Sequence, residues 1–146
     1  LCIPAEFRVG IDVDQHGLDC ARAYADKIFL LKLNMLMIEE IFLAKQFFLT
    51  LFTDSLEHLH FVDAAFVVNN AKDISSVIIA FIPEGAVGDN PEDQGHLKHK
   101  YHWSKQNCID AGFEFVYHFP DYHGAGKGAF FCTWGLASIG KPSYNL

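Results

Sequence analysis

Hydrophobic and polar residues follow different patterns in the two parts of this 146-residue chain. The chain contains 11 glycines and 5 prolines, yet none of them interrupts the stretch from Leu18 to Ile82. Because glycine and proline are the strongest local breakers of regular structure, that stretch predicts long uninterrupted elements. The part from Pro83 to Leu146 holds 13 of these residues and predicts turns, hairpins and loops.

The first part of the chain predicts one strand followed by helices. Apolar and polar side chains alternate over residues 6–14, as in a half-buried strand, and a helix is expected from Leu18 to Ile28. Between Phe29 and Phe52 polar residues recur at seven-residue intervals, which favours a second helix: Lys32, Glu39 and Gln46. The alternation of residues 31–37 leaves a strand open as the alternative.

A third helix and a buried strand are predicted before Pro83. Asp54 and Glu57 have the spacing of a capping box, in which both side chains bind exposed backbone amides at a helix start. A helix over 55–68 would follow, with a strand as its rival because this segment ends in β-branched and aromatic residues. The continuous apolar run Val77–Ile82 predicts a strand buried on both faces.

The second part predicts one helix and then strands. Asn90 and Pro91 form a typical helix start, and this helix is expected to run to Ala111 and to end at Gly112. Three elements follow it: an alternating strand over 113–119, a loop over 120–128 and a strand over 129–134. The whole pattern predicts a single α+β domain, residues 1–146, with a helix-rich N-terminal half and a β-richer, Gly-rich C-terminal half around one mixed sheet.

Composition and charge limit the possible partners. An apolar content of 51% excludes a disordered chain. The net charge of −7 argues against nucleic acid and against an anionic membrane surface, because phosphate contacts need clustered lysine and arginine. Polar residues interrupt the longest apolar run, Ile28–Phe52, so no transmembrane segment is expected. Because the chain begins with Leu rather than Met, we expect a processed product or a fragment. The sequence does not determine its localisation, and an extracellular one is an alternative.

The cysteines leave the redox state open. The chain has four: Cys2, Cys20, Cys108 and Cys132. No two of them form a C-x-x-C metal or redox motif. They are therefore either free buried thiols or members of one or two disulfides in a secreted protein.

The predicted helix from Pro91 to Ala111 carries the most promising side chains. The face opposite its apolar stripe holds imidazoles and an indole: His96, His99, His102 and Trp103. His96 and His99 are one turn apart and could share a metal ion, with Asp93 one turn earlier as a further ligand. A divalent metal such as zinc is the cofactor this face would take. The alternatives are a solvated face whose tryptophan packs under a loop, or a surface for a partner or ligand.

Other groups with chemical potential give weaker signals. Glu57 and His60 have the i, i+3 spacing of half a di-iron carboxylate site, but no second pair completes it. Glu114 and His118 share a strand face about 13 Å apart, too far for a direct acid–base pair. The loop Gly124–Gly128 lacks the phosphate-loop spacing and fits a flexible hairpin better.

Three short segments resemble the early strands of muramidase-type barrel glycosidases: residues 10–13, 81–85 and 111–119. That resemblance implies a β/α-barrel fold and a catalytic carboxylate at Asp12. The Asp-x-Glu strand of that family is absent, and 146 residues is short for such a barrel.

The segment from Arg8 to Tyr24 is similar to the opening of vicinal-oxygen-chelate proteins. The length of those proteins suits this chain. That resemblance would place the family's first metal-binding histidine near Arg8, a side chain that cannot bind a cation.

These observations predict a binding protein or a small metal-dependent enzyme. Its site would combine the metal ligands named above with Trp103, His118 and His123 as ligand-binding residues. An activated metal-bound water would then suit hydrolase or lyase chemistry. Two other functions remain open: a structural subunit without chemistry, whose 14 phenylalanines serve self-association, and a muramidase-like glycosidase fragment. The partner is a small-molecule ligand or a second copy of the chain.

Overall fold

The chain falls into two compact units, Leu1–Ile41 and Phe42–Leu146. The computed structural model describes residues 8–22, 28–32, 34–44, 46–87, 95 and 98–138. Each unit is built around parallel strands, which need a crossover connection rather than a tight turn between them.

The first unit contains a pair of parallel strands. Strand β1 (Arg8–Asp12) and strand β2 (Ile28–Lys32) pair in register from Arg8 opposite Ile28 to Asp12 opposite Lys32. Helix α1 (Gln15–Arg22) begins directly after β1, where the Asp14 carboxylate accepts a hydrogen bond from the Gly17 amide at 3.1 Å. A second short helix, α2 (Ile38–Ile41), ends the unit.

The helix predicted from Phe29 to Phe52 is wrong. Its first residues form β2, and its last residues begin strand β3 (Phe47–Thr53). The alternative, a strand over residues 31–37, is right for residues 31–32 but wrong for Met35–Met37, which forms a 3-10 turn. Each strand is fixed by pairing with a distant segment, and this tertiary pairing overrides the seven-residue spacing of polar side chains.

The second unit is organised by a four-stranded mixed sheet in the order β3-β4-β6-β5. Strand β4 (Ser75–Pro83) runs parallel to β3, and β6 (Ala129–Trp134) runs antiparallel to both β4 and β5 (Phe115–Phe119). The predicted strand at Val77–Ile82 is confirmed, and it supplies much of the core. The two last predicted strands are confirmed as β5 and β6.

A long helix packs against the central strand of this sheet. Helix α3 (Phe61–Ile74) contacts β4 and buries Val67, Val68 and Ala71. The helix predicted over 55–68 is therefore confirmed in type but displaced along the chain. The capping-box prediction at Asp54 is wrong, because Leu56–His58 forms a single 3-10 turn and α3 begins only after His60.

Where the structure describes the predicted helix Pro91–Ala111, only its last part is helical. Residues 98–104 lie outside any helix, and helix α4 covers only Lys105–Asp110. Ser104 caps it, accepting from the Asn107 amide while the Asn107 side chain accepts from the Ser104 amide. Gly112, with φ of 97°, ends this helix in the left-handed conformation that was predicted. Asn90, Pro91 and the rest of the predicted start lie outside the described residues.

The α+β fold class with a mixed sheet is confirmed. The single domain stays a prediction. Among the helices that the structure describes, none has the length and apolar character needed to cross a membrane. Three cysteines are free thiols, Cys20 exposed and Cys108 and Cys132 buried, and Cys2 lies outside the described residues.

Candidate functional site

Two groups of ionisable side chains in the second unit lie at one edge of its sheet. Strands β3, β4 and β5 point the same way, since β4 and β5 are both antiparallel to β6. Their carboxyl ends therefore meet at a single edge, which we call the carboxyl edge. In open α/β sheets this is the edge where ligands bind.

Glu57 is a buried carboxylate in the turn that follows β3. It is 1% exposed, and neither of its carboxylate oxygens has a hydrogen-bond partner within the described part of the chain. Burial, helped by the negative charge of Asp54, raises the pKa of Glu57 from 4.5 to about 7. Its backbone carbonyl accepts from the amides of Lys100 at 2.8 Å and Tyr101 at 3.3 Å. These two bonds hold residues 99–101 against the turn.

Two histidines lie beside Glu57. His58 Nε2 is 3.9 Å from Glu57 Oε1, and the rings of His58 and His99 meet edge to face with centroids 4.9 Å apart. One nitrogen or oxygen from each of the three side chains lies within 4.8 Å of the others. We call Glu57, His58 and His99 the Glu–His cluster. His58 Nδ1 is also buried with no hydrogen-bond partner among the residues the structure describes.

Three aromatic side chains that follow the cluster residues in sequence, Phe61, Tyr101 and Trp103, pack against one another. Phe61 contacts Tyr101 and Trp103 at centroid distances of 5.2 and 5.9 Å. Trp103 is held by its carbonyl, which accepts from the Gly85 amide at 2.8 Å after β4. It is 1% exposed, so the prediction that it points outward from a helix is wrong: it sits on an extended segment and belongs to the core.

A second histidine–carboxylate pair lies at the carboxyl edge. His118 at the end of β5 is hydrogen-bonded through Nε2 to Glu84 Oε2 at 2.7 Å. Both side chains are about two-fifths exposed. Gly128 packs against the pair so closely that a Cβ there would lie 2.7 Å from His118 Nε2 and collide with Glu84 Oε2.

The remaining predicted site residues are spread over the chain. His102 and His123 are exposed, and His123 lies in the loop that joins β5 to β6. His60 is exposed at the start of α3, so the Glu57–His60 helical pair does not form. Asp93 and His96 lie outside the described residues.

The first unit carries one further acid at the end of a parallel strand. Asp12, the last residue of β1, accepts from the Asp14 amide at 2.9 Å through Oδ1. Its other oxygen faces Gly17, where an added Cβ would lie 2.7 Å from Oδ2. The first turn of α1 thus leaves room for this carboxylate because residue 17 has no side chain.

Sequence reasoning missed the Glu–His cluster. The available signal was Glu57-His58, a few residues after the largely apolar segment 47–52. That segment was assigned to a helix, so its carboxyl end was not recognised as a strand end. His99 was singled out, but for a helical face rather than for contact with His58.

Comparisons with solved structures place this fold among known proteins. No protein-family model and no curated protein matches the chain. A SAM-dependent methyltransferase from Methanosarcina mazei is similar with a TM-score of 0.61 and 11% identity, over 86% of this chain and 79% of that one. The N-terminal domain of EvdMO1, with SAH bound, has a TM-score of 0.61 and 9% identity, over 90% of this chain and 65% of that one.

The small RNA methyltransferase HEN1 is also similar, with a TM-score of 0.56 and 13% identity. The match covers 85% of this chain but only 20% of HEN1. At these identities the likeness shows only that this chain shares its fold with these neighbours.

These neighbours correct the functional predictions. The metal-dependent hydrolase or lyase, the structural subunit and the muramidase-like glycosidase are all wrong, because the neighbours are SAM-dependent methyltransferases. The description of the chain as a histidine-rich, metal-binding protein is wrong for the same reason, and so is the prediction of zinc, because the neighbours' names give SAM and SAH. The binding of a ligand by Trp103, His118 or His123 stays a prediction.

Proposed function

We propose that this chain is a SAM-dependent methyltransferase domain. The observation that carries the proposal is the mixed sheet of the second unit, whose carboxyl edge holds the Glu–His cluster and the Glu84–His118 pair, within a fold shared with methyltransferases. Ionisable side chains at the carboxyl ends of parallel strands are typical of α/β enzymes. The partner is then a small-molecule ligand.

One side chain suits the ribose of SAM. An acid at the end of a parallel strand commonly accepts hydrogen bonds from ribose hydroxyls in nucleotide-binding α/β folds. Asp12 has that position, and the missing side chain of Gly17 keeps Oδ2 free of steric contact with α1. Asp12 is therefore the residue we assign to this group. When bound, SAM supplies a methyl group on a sulfonium, which is a good leaving group.

Calorimetric titration with SAM and SAH tests the proposal. We expect saturable binding of both ligands to the wild-type chain and at least about tenfold weaker binding to Asp12→Asn, because an amide replaces the accepting carboxylate. Asp19→Asn is the matched control, since Asp19 is an exposed acid on the adjoining helix. Absence of binding to the wild-type chain would refute the proposal.

A further inference from the structure

Strand β5 forms one edge of the mixed sheet in the second unit. The strand order is β3-β4-β6-β5, so the backbone groups on one side of β5 pair with β6. Within the part of the chain that the structure describes, no strand pairs with its other side. Such an edge presents a row of backbone N–H and C=O groups that a further strand can extend. A neighbour that satisfies these groups is therefore itself a strand.

The side chains of β5 do not protect this edge. Proteins commonly shield an exposed edge strand with lysine, proline or another charged residue. The sequence of β5 is FVYHF, without lysine, acid or proline, and its one titratable side chain, His118, is hydrogen-bonded to Glu84. The preceding acid, Glu114, accepts a hydrogen bond from the Gly135 amide at 2.9 Å and is held at the end of β6. The edge is therefore open to pairing.

Every second side chain of β5 is an exposed aromatic ring. Phe115, Tyr117 and Phe119 are 54%, 51% and 38% exposed, and Tyr122 in the following turn is 57% exposed. The rings of Tyr117 and Phe119 meet edge to face at 4.6 Å, and Tyr122 lies 6.2 Å from Phe119. We call these four side chains the aromatic row. Their exposed fractions add up to two whole side chains, or about 400 Å² at about 200 Å² each, and a patch of that size is often functional.

The sequence of β5 is complementary to itself. Its aromatic residues occupy the first, third and fifth positions, so they coincide when the strand is read in either direction. Antiparallel pairing of two copies about a two-fold axis at Tyr117 places Phe115 opposite Phe119 and Val116 opposite His118. No acid faces an acid in this register. That matters because each chain has a net charge of −7, and two such chains associate only through surfaces free of like charges.

We propose that β5 pairs antiparallel with β5 of a second copy of this chain, so that the two four-stranded sheets become one continuous sheet. The two aromatic rows then lie side by side on one face, where aromatic residues directly opposite each other stabilise the pair. The contact runs along the side of the sheet and leaves the strand ends at the carboxyl edge free. The inference is therefore independent of the methyltransferase function proposed above.

Disulfide cross-linking tests the register. Cys2 and Cys20 are first replaced by serine, so that neither can cross-link two chains; Cys108 and Cys132 are buried. In that background Tyr117→Cys places a thiol beside the same thiol of the second copy, and oxidation by dissolved oxygen with copper phenanthroline should give a covalent dimer. Phe115→Cys alone should give none, because its counterpart in the second copy lies about 13 Å away along the strand.

A mixture of two variants completes the cross-linking test. Phe115→Cys and Phe119→Cys, combined in equal amounts, should form a covalent dimer, because these two positions lie opposite each other in the proposed register. Phe48→Cys is the matched control, since Phe48 is an aromatic residue of β3 that is 66% exposed. It should form no cross-link under the same conditions.

Light scattering across a dilution series measures the oligomeric state. The wild-type chain should show twice the chain mass at high concentration and one chain mass after dilution. Tyr117→Lys should keep one chain mass throughout, because it places two ammonium groups opposite each other. Phe48→Lys should keep the wild-type mass. Circular dichroism shows which variants are folded, and the cross-linking decides the inference where Tyr117→Lys does not fold.

Four results would overturn the inference. The wild-type chain could stay at one chain mass at millimolar concentration, which leaves another part of this chain or a strand of another protein as the neighbour of β5. Its mass could exceed two chains, although a two-fold contact closes at the dimer. Folded Tyr117→Lys could remain dimeric. Phe115→Cys alone could cross-link as well as Tyr117→Cys does, or neither could cross-link.

Discussion

Glu57 makes the stability of this protein fall as the pH rises. Burial holds its pKa at about 7 instead of 4.5. The folded state therefore binds this proton more tightly than the unfolded chain does, so the stabilisation is complete below pH 4.5 and is lost as the pH rises to about 7. At 1.36 kcal/mol for each pKa unit, the loss is about 3 kcal/mol.

Glu57→Gln removes the ionisable group and nearly keeps its shape. Urea denaturation of both proteins between about pH 5 and about pH 8 measures the free energy of unfolding across the interval in which Glu57 ionises. We expect the wild-type value to fall by about 2.5 kcal/mol more than that of the variant across this range, because a part of the loss occurs below pH 5. Subtracting the two curves cancels the titration of the histidines, which both proteins share.

Asp73→Asn is the control for this comparison, because Asp73 is an exposed acid on α3. It should keep the wild-type dependence on pH. If Glu57→Gln also follows the wild-type curve, Glu57 does not ionise in a desolvated environment and the reasoning about the Glu–His cluster fails at its first step.

Three further substitutions test the packing around the carboxyl edge. Trp103→Ala should cost about 3–5 kcal/mol in urea denaturation, because it empties a fully buried position; a cost below about 1 kcal/mol would contradict its place in the core. Gly128→Ala should separate His118 from Glu84 and lower the thermal midpoint; an unchanged midpoint together with an unchanged His118 imidazole resonance in NMR would show that the contact is absent. Ser104→Ala should cost about 1 kcal/mol by removing the cap of α4, and no loss of stability would argue against that cap.

The strands of the second unit could be predicted because their patterns have one interpretation. Val77–Ile82 is too short and too apolar for an amphipathic helix, and every second side chain of residues 113–119 is aromatic. The helix end at Gly112 could be predicted for a similar reason, because few other residues adopt its positive φ. Short-range residue preferences determine these strands and this helix end, and such preferences can be recognised in the sequence.

The failures arose where pairing with distant segments decided the structure. Phe47 lies opposite Ser75, and Arg8 lies opposite Ile28, so both strands of the misassigned segment depend on partners that periodicity cannot reveal. The segment around Trp103 has a helical spacing of apolar residues, but its backbone pairs with Gly85 and bonds to Glu57 instead.

The candidate site was predictable only in its residue types. His118 was named, but its partner Glu84 follows another strand and comes close only through the β4–β6–β5 register. His99 was named as a metal ligand. Its contact with His58 depends on the hydrogen bonds that the backbone amides of Lys100 and Tyr101 donate to the Glu57 carbonyl. Chemistry-bearing residues can be found in a sequence, whereas the contacts between them require the fold.

Equilibrium dialysis of the purified chain against radiolabelled SAM tests the central claim most directly. The account predicts one saturable site from which SAH displaces the label and NAD does not, since the fold and Asp12 are assigned to a methyl donor rather than to a dinucleotide. Retention of no label at millimolar SAM, or displacement by NAD as effectively as by SAH, would contradict it.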